Sequence, residues 1–371
     1  MSGLLGGLEV VAGLAIVLVV FYDLFQSVVL PRPAVGKIQI ARIIIRPGWR
    51  MWRWVSQRGS RVEKSEARLA AFAPLALLGL FVVWAIALTV GYGLVILGLG
   101  DQFKPAIQDA PSAIYVSATT LVPLSYGDVV PEQGFARMMV VAESATGVAL
   151  AALAITLLFS LYESFRAREE AVISLDALAG APPSGIHFLE TAAARNTRPE
   201  LRETFDEWRR WSAMVLESHL AYPLLVYFRS SHDNEAWINS FGAVMDAAAL
   251  VMSTVEDDAE GAARLMFTVG NHLVEDLTWV LRLKAVPDAI VEKEEYGQAV
   301  ERLKKAGYRL KDGDGWTRFV ELRARYGSTL NQVAHLLSVP IAEWVGDRSY
   351  LPHRQRRSLR AVRRKPTAIN P

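Results

Sequence analysis

The stretch from Thr120 to Asp128 combines hydroxyl side chains, a glycine and an acidic residue, and a backbone of this kind could coordinate a cation. Gly127 adopts dihedral angles that other residues avoid, which allows successive carbonyl oxygens to face one axis. Rings of such carbonyls replace the hydration shell of an ion that leaves water. Asp128 follows the glycine and would concentrate cations at the entrance. The full stretch is Thr120-Leu121-Val122-Pro123-Leu124-Ser125-Tyr126-Gly127-Asp128.

Other kinds of chemistry lack their signatures. The sequence contains no cysteine, which excludes disulfides, thiolate metal sites and cysteine nucleophiles. Neither the phosphate-binding P-loop motif nor the zinc-protease motif H-E-x-x-H occurs. The segment from Asp312 to Gly315 begins like a calcium loop, but its twelfth position is Arg323 instead of a bidentate Glu, so a turn is predicted. We therefore expect no catalytic residue, no metal site and no cofactor.

Three long apolar runs lie before residue 165 and are predicted to be membrane spans. They extend from Val10 to Leu30, from Ala70 to Gly100 and from Met138 to Leu161. Each is long enough to cross a hydrocarbon core of about 30 Å at about 1.5 Å per residue. A signal peptide would need a basic start and a shorter apolar stretch, so the first run is interpreted as a true span.

A shorter apolar piece, from Ser112 to Val122, lies between the second and third runs and cannot cross a membrane. Asp109 and Pro111 at its start are typical of a helix N-terminus, and Pro123 follows its end. Non-helical backbone at membrane depth is tolerated where it is buried in protein or lines a water-filled path. The pattern therefore predicts a short helix followed by a re-entrant loop.

The distribution of Lys and Arg predicts the orientation. The segment from Pro31 to Leu69 contains ten of these residues and two acidic ones, whereas the loop after the second span is mainly acidic. By the positive-inside rule, the segment 31–69 is cytoplasmic and the N-terminus is outside. With Trp49, Trp52 and Trp54 among its arginines, this linker is either an anchor that only sets topology or an interfacial helix on anionic lipid.

The region 70–168 resembles the pore-loop potassium-channel superfamily, whose filter signature is T-x-x-T-V-G-Y-G-D. Thr120, Tyr126, Gly127 and Asp128 match this signature. Gly147 lies 19 residues after Asp128, where the inner helix of the family has a hinge glycine. The resemblance implies an outer helix, a pore loop and an inner helix. It also implies a ring of four chains, because each chain supplies one loop.

Specific roles follow from the resemblance. The inner helix is expected to face a cavity, with Phe159 as a hydrophobic gate, although packing against other helices is the alternative for this face. In such a filter, Tyr126 packs behind the pore axis. The implied filter residues are Thr120, Pro123, Leu124, Ser125, Tyr126, Gly127 and Asp128, and the implied cavity residues are Val148, Ala151, Ile155 and Phe159.

Three filter positions differ from the signature. Pro123, Leu124 and Ser125 stand where the family has Thr, Val and Gly. A left-handed Ser125 costs about 1–2 kcal/mol relative to glycine, so either the filter is strained or its carbonyls point differently. Pro123 removes a hydroxyl ligand and an amide donor. We expect a cation pore with reduced potassium selectivity or with a widened inner entrance.

Two acidic residues lie within the spans. Glu143 precedes Gly147 by one helical turn, and an ionisable group at this depth is a candidate for function. It is either protonated or bonded behind the filter to Thr119, Thr120 or Arg137. Asp23 is expected to anchor the first span by pairing with an arginine such as Arg42 or Arg46.

The rest of the chain has helical periodicity and scarce strand patterns, which argues against a Rossmann or β-roll regulatory domain. The predicted fold class is an all-α membrane protein with a helical cytoplasmic domain. The predicted parts are an N-terminal span (1–30), a basic interfacial linker (31–69), a pore domain (70–168), a helical cytoplasmic domain (169–350) and a basic tail (351–371).

The leading functional hypothesis is a homotetrameric inner-membrane channel for potassium or another monovalent cation. Its expected partners are membrane lipids and copies of itself, with no nucleic acid and no enzymatic activity. The alternative is a membrane-anchored sensor or interaction protein whose degenerate pore does not conduct. Pro123 and Ser125 favour the alternative, whereas Tyr126, Gly127 and Asp128 favour the channel.

Overall fold

The computed structural model is almost entirely helical, which confirms the predicted fold class. The basic tail predicted for residues 351–371 lies outside the described residues, as does the start of the predicted linker. The described residues are 2–29, 40–58, 62–180, 182–230, 236–284 and 286–340.

The chain forms two compact units, of which the first comprises residues 1–163 and 221–228. Two short strands, β1 (Phe103–Lys104) and β2 (Val130–Pro131), pair in antiparallel register within it. The helices that contribute to this unit are α1 (Ser2–Leu24), α2 (Ile40–Gln57), α3 (Val62–Gly98), α4 (Ala110–Leu121) and the first part of α5 (Gly134–Ala179).

Within the described part of the chain, three helical stretches are long and apolar enough to cross a membrane: Leu4–Val28, Ser65–Gly98 and Gly134–Ala179. They confirm the three predicted spans, and the chain is a membrane protein. Helix α3, which contains the second span, begins at Val62, eight residues before the apolar run that starts at Ala70. The prediction of the span did not include these residues because hydropathy detects only the apolar part of a helix. Helix α5 has 46 residues, or about 69 Å at 1.5 Å per residue, which is longer than a bilayer requires.

Helix α1 packs closely along α3 because glycines remove the side chains where the two backbones meet. A Cβ on Gly13 would lie 2.4 Å from the carbonyl oxygen of Gly91, and a Cβ on Gly98 would lie 2.4 Å from that of Gly6. Small residues at helix contacts are the usual means of association in a membrane, where lipid tails are as apolar as leucine. The extra N-terminal span is therefore an integral part of the first unit.

This contact predicts a difference between two glycines of the same helix. Gly13→Ala should destabilise the protein because the new methyl group collides with the α3 backbone, whereas a Cβ on Gly7 meets nothing within 4 Å. Both changes gain the same helix propensity of about 1 kcal/mol, so the pair isolates the cost of packing. Thermal unfolding of the full chain in detergent should give a lower midpoint for Gly13→Ala than for Gly7→Ala. Equal midpoints would contradict the close α1–α3 contact.

The segment 221–228 belongs to the first unit although it lies within the range 169–350 predicted to form the cytoplasmic domain. The preceding helix ends at Ala221, because Pro223 has no amide donor, and a 3-10 segment follows from Pro223 to Tyr227. The Tyr227 ring lies 5.5 Å from that of Trp49 and 5.8 Å from that of Phe72. Aromatic contacts thus join this segment to α2 and α3.

The second unit comprises residues 164–220 and 229–371, and α8 is its most deeply buried helix. Fifteen of the 17 residues of α8 are buried, as expected for a helix that is apolar on all sides. The unit contains the end of α5 together with α6 (Gly185–Ala194), α7 (Leu201–Ala221), α8 (Trp237–Ser253), α9 (Glu260–Leu281), α10 (Lys293–Lys305), α11 (Gly315–Arg323) and α12 (Gly327–Leu337).

A buried polar cluster lies around Arg168 in this unit. Its guanidinium forms a 2.9 Å salt bridge with Glu169, which also accepts a hydrogen bond from Ser230. His219 contacts the same guanidinium, and burial together with the positive charge of Arg168 lowers the pKa of His219 to about 3. The histidine is therefore neutral near pH 7 and does not act as a physiological proton switch.

Candidate functional site: the loop between the second and third spans

The short helix α4 begins as its sequence predicts. The Asp109 carboxylate caps it by accepting a hydrogen bond of 2.8 Å from the Ser112 amide, and Pro111 occupies the first turn. The helix ends at Leu121, two residues before Pro123. The expected short helix with an acidic cap is confirmed.

The backbone after α4 is tied to the end of that helix. The carbonyl oxygen of Thr119 accepts hydrogen bonds from the amides of Leu124 and Ser125, at 2.8 and 3.3 Å. Ser125 has φ +45° and Gly127 has φ +79°, whereas Leu124 and Tyr126 have negative φ. The sign of φ therefore alternates along the loop, and Ser125 holds the strained left-handed conformation considered from the sequence.

A hydrogen bond fixes the end of the loop to α4. The Tyr115 hydroxyl donates to the Asp128 carboxylate at 2.9 Å. The chain then enters β2, whose pairing with β1 and the 2.8 Å bond from the Glu132 amide to the Gln102 carbonyl close the loop. The sequence placed Asp128 at the entrance but did not identify Tyr115, which lies five residues before Thr120 on α4.

The loop residues 122–128 are exposed on a single chain. Tyr126 is 66% exposed, so its own chain does not supply the packing expected behind the filter. Thr120, in contrast, is buried at the end of α4. An exposed apolar stretch formed by Val122, Leu124 and Tyr126 is typical of a surface that another protein chain covers.

The inner helix α5 presents two different faces to its surroundings. One face is buried within the first unit and consists of Glu143, Thr146, Leu150, Leu157 and Leu161. The predicted cavity face is exposed on the single chain, and Phe159, the predicted gate, is 69% exposed. The exposed cavity-face residues are Val148, Ala151, Ile155 and Phe159.

Gly147 is the point at which α5 contacts the end of the short helix. A Cβ on this residue would lie 1.7 Å from the carbonyl oxygen of Leu121, so no other residue fits without a backbone shift. The sequence pattern predicts a hinge at Gly147. The geometry adds a second reason for glycine at this position: without a side chain, α5 can pack directly against Leu121 at the end of α4.

The two acidic residues within the spans have partners that we did not predict. The Ser117 hydroxyl lies 2.5 Å from the Glu143 carboxylate, in place of the expected Thr119, Thr120 or Arg137. Asp23 accepts a 2.8 Å hydrogen bond from the Trp84 indole, and both residues are buried. The sequence carries a partial signal for Ser117, because it lies three residues before Thr120 on the same face of the short helix, but this spacing does not identify Glu143 as its partner.

A family model described as "Ion channel" matches residues 80–164, which cover the second half of α3, the whole loop and the first part of α5. This region belongs to the pore-loop ion-channel superfamily. No curated protein and no solved structure matches the chain. The matched region coincides with the loop, the short helix and the two flanking spans.

Proposed function

We propose that the protein is a homotetrameric cation channel that conducts potassium with a selectivity altered by its Pro-Leu-Ser-Tyr-Gly filter. Four chains surround one axis, and each supplies one loop between α4 and α5. A cyclic ring is the natural closure for such an arrangement. The transported ion is potassium or another monovalent cation, and no further cofactor is needed.

The alternating sign of φ from Leu124 to Gly127 carries this proposal. In an extended strand, successive carbonyl groups point to opposite sides. Positive φ at Ser125 and at Gly127, on either side of Tyr126 with its negative φ, breaks that extended pattern, as a carbonyl-lined filter requires. Aligned carbonyl oxygens from several chains replace the hydration shell of an entering cation.

The exposed surfaces of the channel domain support assembly. The loop 122–128 and the α5 face that includes Val148, Ile155 and Phe159 are uncovered on one chain. Exposed apolar surface of this kind is expected where subunits share a pore lining. In the assembled channel, Tyr126 packs against a neighbouring subunit, and Phe159 lies at the inner end of the cavity as a hydrophobic gate.

The charge distribution supports an orientation in the membrane. The basic segment 31–69 lies between the first two spans, and the positive-inside rule favours the cytoplasmic side for it, with the N-terminus outside. The pore loop then opens to the outside, and the second unit is a helical cytoplasmic domain. The absence of cysteine suits a bacterial inner membrane.

The filter differences favour reduced discrimination between potassium and sodium. Pro123 provides no hydroxyl for the innermost ion position and no amide donor. The left-handed conformation of Ser125 costs about 1–2 kcal/mol that glycine would avoid. The same two residues favour the second candidate function, a membrane-anchored sensor or interaction protein whose pore does not conduct.

Ion flux through purified protein in liposomes tests the proposal. Wild-type protein should carry potassium, and Gly127→Asp should abolish the flux because a side chain at φ +79° strains the filter and obstructs its axis. Gly134→Ala is the matched control, since a Cβ there meets nothing within 4 Å. No flux from a well-formed oligomer, even after Phe159→Ala opens the gate, would favour the sensor.

The ion ratio in the same assay tests the selectivity. We expect wild-type protein to admit sodium or caesium alongside potassium, and Ser125→Gly to raise the potassium preference by relieving the left-handed strain of about 1–2 kcal/mol. Strict potassium selectivity of the wild type would contradict reduced discrimination while leaving the channel itself intact.

A further inference from the structure

The Glu143 carboxyl group lies behind the pore loop, where three helices meet. Glu143 is fully buried on α5, and the hydroxyl of Ser117, on α4, is 2.5 Å from its Oε1 atom. The same hydroxyl is 2.9 Å from the carbonyl oxygen of Thr89, on α3. Ser117 on α4 therefore contacts both α3 and α5.

Ser117 has one hydroxyl proton for these two contacts, so the protonation state of Glu143 decides whether both can be hydrogen bonds. A serine hydroxyl donates one proton, whereas the Thr89 carbonyl and an ionised Glu143 are both acceptors. With an ionised Glu143, one of the two contacts would have no proton. With a carboxylic acid, Glu143 donates to Ser117, Ser117 donates to the Thr89 carbonyl, and both contacts are complete.

The surroundings of Glu143 also indicate that its side chain is a neutral carboxylic acid. Its Oε2 atom is buried without a hydrogen-bond partner, and Ser117 is the only side chain in the described part of the chain that hydrogen-bonds to Glu143. Tyr92 is the nearby titratable group, and its hydroxyl is paired with Thr146 at 2.9 Å. A tyrosine supplies no positive charge, and a buried carboxylate without a counter-charge is costly at membrane depth.

We propose that Glu143 is a positioning residue that, as a neutral acid, donates a hydrogen bond to Ser117 and so fixes α4 to α3 and α5. Thr119, two residues after Ser117, accepts the amide hydrogen bonds of Leu124 and Ser125. A displacement of α4 therefore moves the filter backbone directly. The effect on conduction rests on the proposed channel function, whereas the hydrogen bonds themselves do not.

Infrared difference spectroscopy of the full chain in detergent at pH 7 tests the protonation state. Subtracting the spectrum of Glu143→Gln from that of the wild type should reveal the C=O stretch of one protonated carboxylic acid. Glu163→Gln, an exposed acid on the same helix, is the control and should reveal a carboxylate instead. Loss of a carboxylate band in Glu143→Gln would overturn the proposal.

Liposome flux separates positioning from simple burial of a polar group. The side-chain amide introduced by Glu143→Gln still donates to Ser117, so the flux of this variant should stay within about twofold of wild type. Glu143→Ala and Ser117→Ala both break the chain of hydrogen bonds and should lower flux by about tenfold or more, the effect of leaving buried polar groups unpaired. Equal flux in Glu143→Gln and Glu143→Ala would overturn the role in positioning.

The proposal can still be tested if a variant does not fold or if the wild-type protein carries no flux. If Glu143→Ala does not fold, the comparison of Ser117→Ala with Glu143→Gln answers the same question. If wild-type protein carries no flux, the proposed function fails and the infrared band alone decides the protonation state. The two failures are therefore distinguishable.

Discussion

Gly147→Ala is expected to lower both the thermal midpoint of the protein and its cation flux. The added Cβ would lie 1.7 Å from the Leu121 carbonyl oxygen, which is backbone and cannot rotate away. Overpacking of this kind costs about 1–3 kcal/mol, which exceeds the gain of about 1 kcal/mol in helix propensity. Because Leu121 ends the helix that carries the filter, the shift should reduce flux by about tenfold or more.

The thermal midpoint separates this seating role from the predicted hinge. If Gly147 acted only as a hinge, alanine would change flux but would leave the midpoint at or above that of the wild type, since alanine is the better helix former. If it seats α4, the midpoint and the flux fall together. Gly134→Ala, on the same helix, is the control for both measurements because a Cβ there meets nothing within 4 Å.

Asp246→Ala is expected to give the largest loss of stability in the second unit. Its carboxylate accepts hydrogen bonds from Arg323 at 2.8 Å and from Tyr326 at 2.7 Å, and all three side chains are buried. Removing it leaves the guanidinium of Arg323 buried without its closest carboxylate. Breaking a buried ion pair in this way costs about 3–5 kcal/mol. Thermal unfolding of the full chain in detergent measures the effect.

Two controls show whether the loss comes from the buried charge. Asp258→Ala, at an exposed position of the same unit, should leave the midpoint within experimental error. The double variant Asp246→Leu with Arg323→Met should recover much of the loss, because replacing both members of a buried pair by apolar residues is often nearly neutral. If the double variant were as unstable as Asp246→Ala, the ion pair would not be the cause.

The sequence alone determined the spans and the short helix, and it predicts the position of the filter. Each depends on local properties: the length of an apolar run, a capping Asp109 followed by Pro111, and a glycine beside a tyrosine. Such features require no knowledge of what lies nearby in space. The family match to residues 80–164 confirms that these local signals identify the channel domain.

Contacts between distant segments were decided by the tertiary structure. Ser117 as the partner of Glu143, Trp84 as the partner of Asp23, and the contact of Gly147 with Leu121 each join residues on different helices. Helical periodicity identifies a buried face but not the residue that meets it on a neighbouring helix. The same limit explains why the segment 221–228 was expected in the cytoplasmic domain. Its Tyr227 ring in fact packs with Trp49 and Phe72 of the first unit.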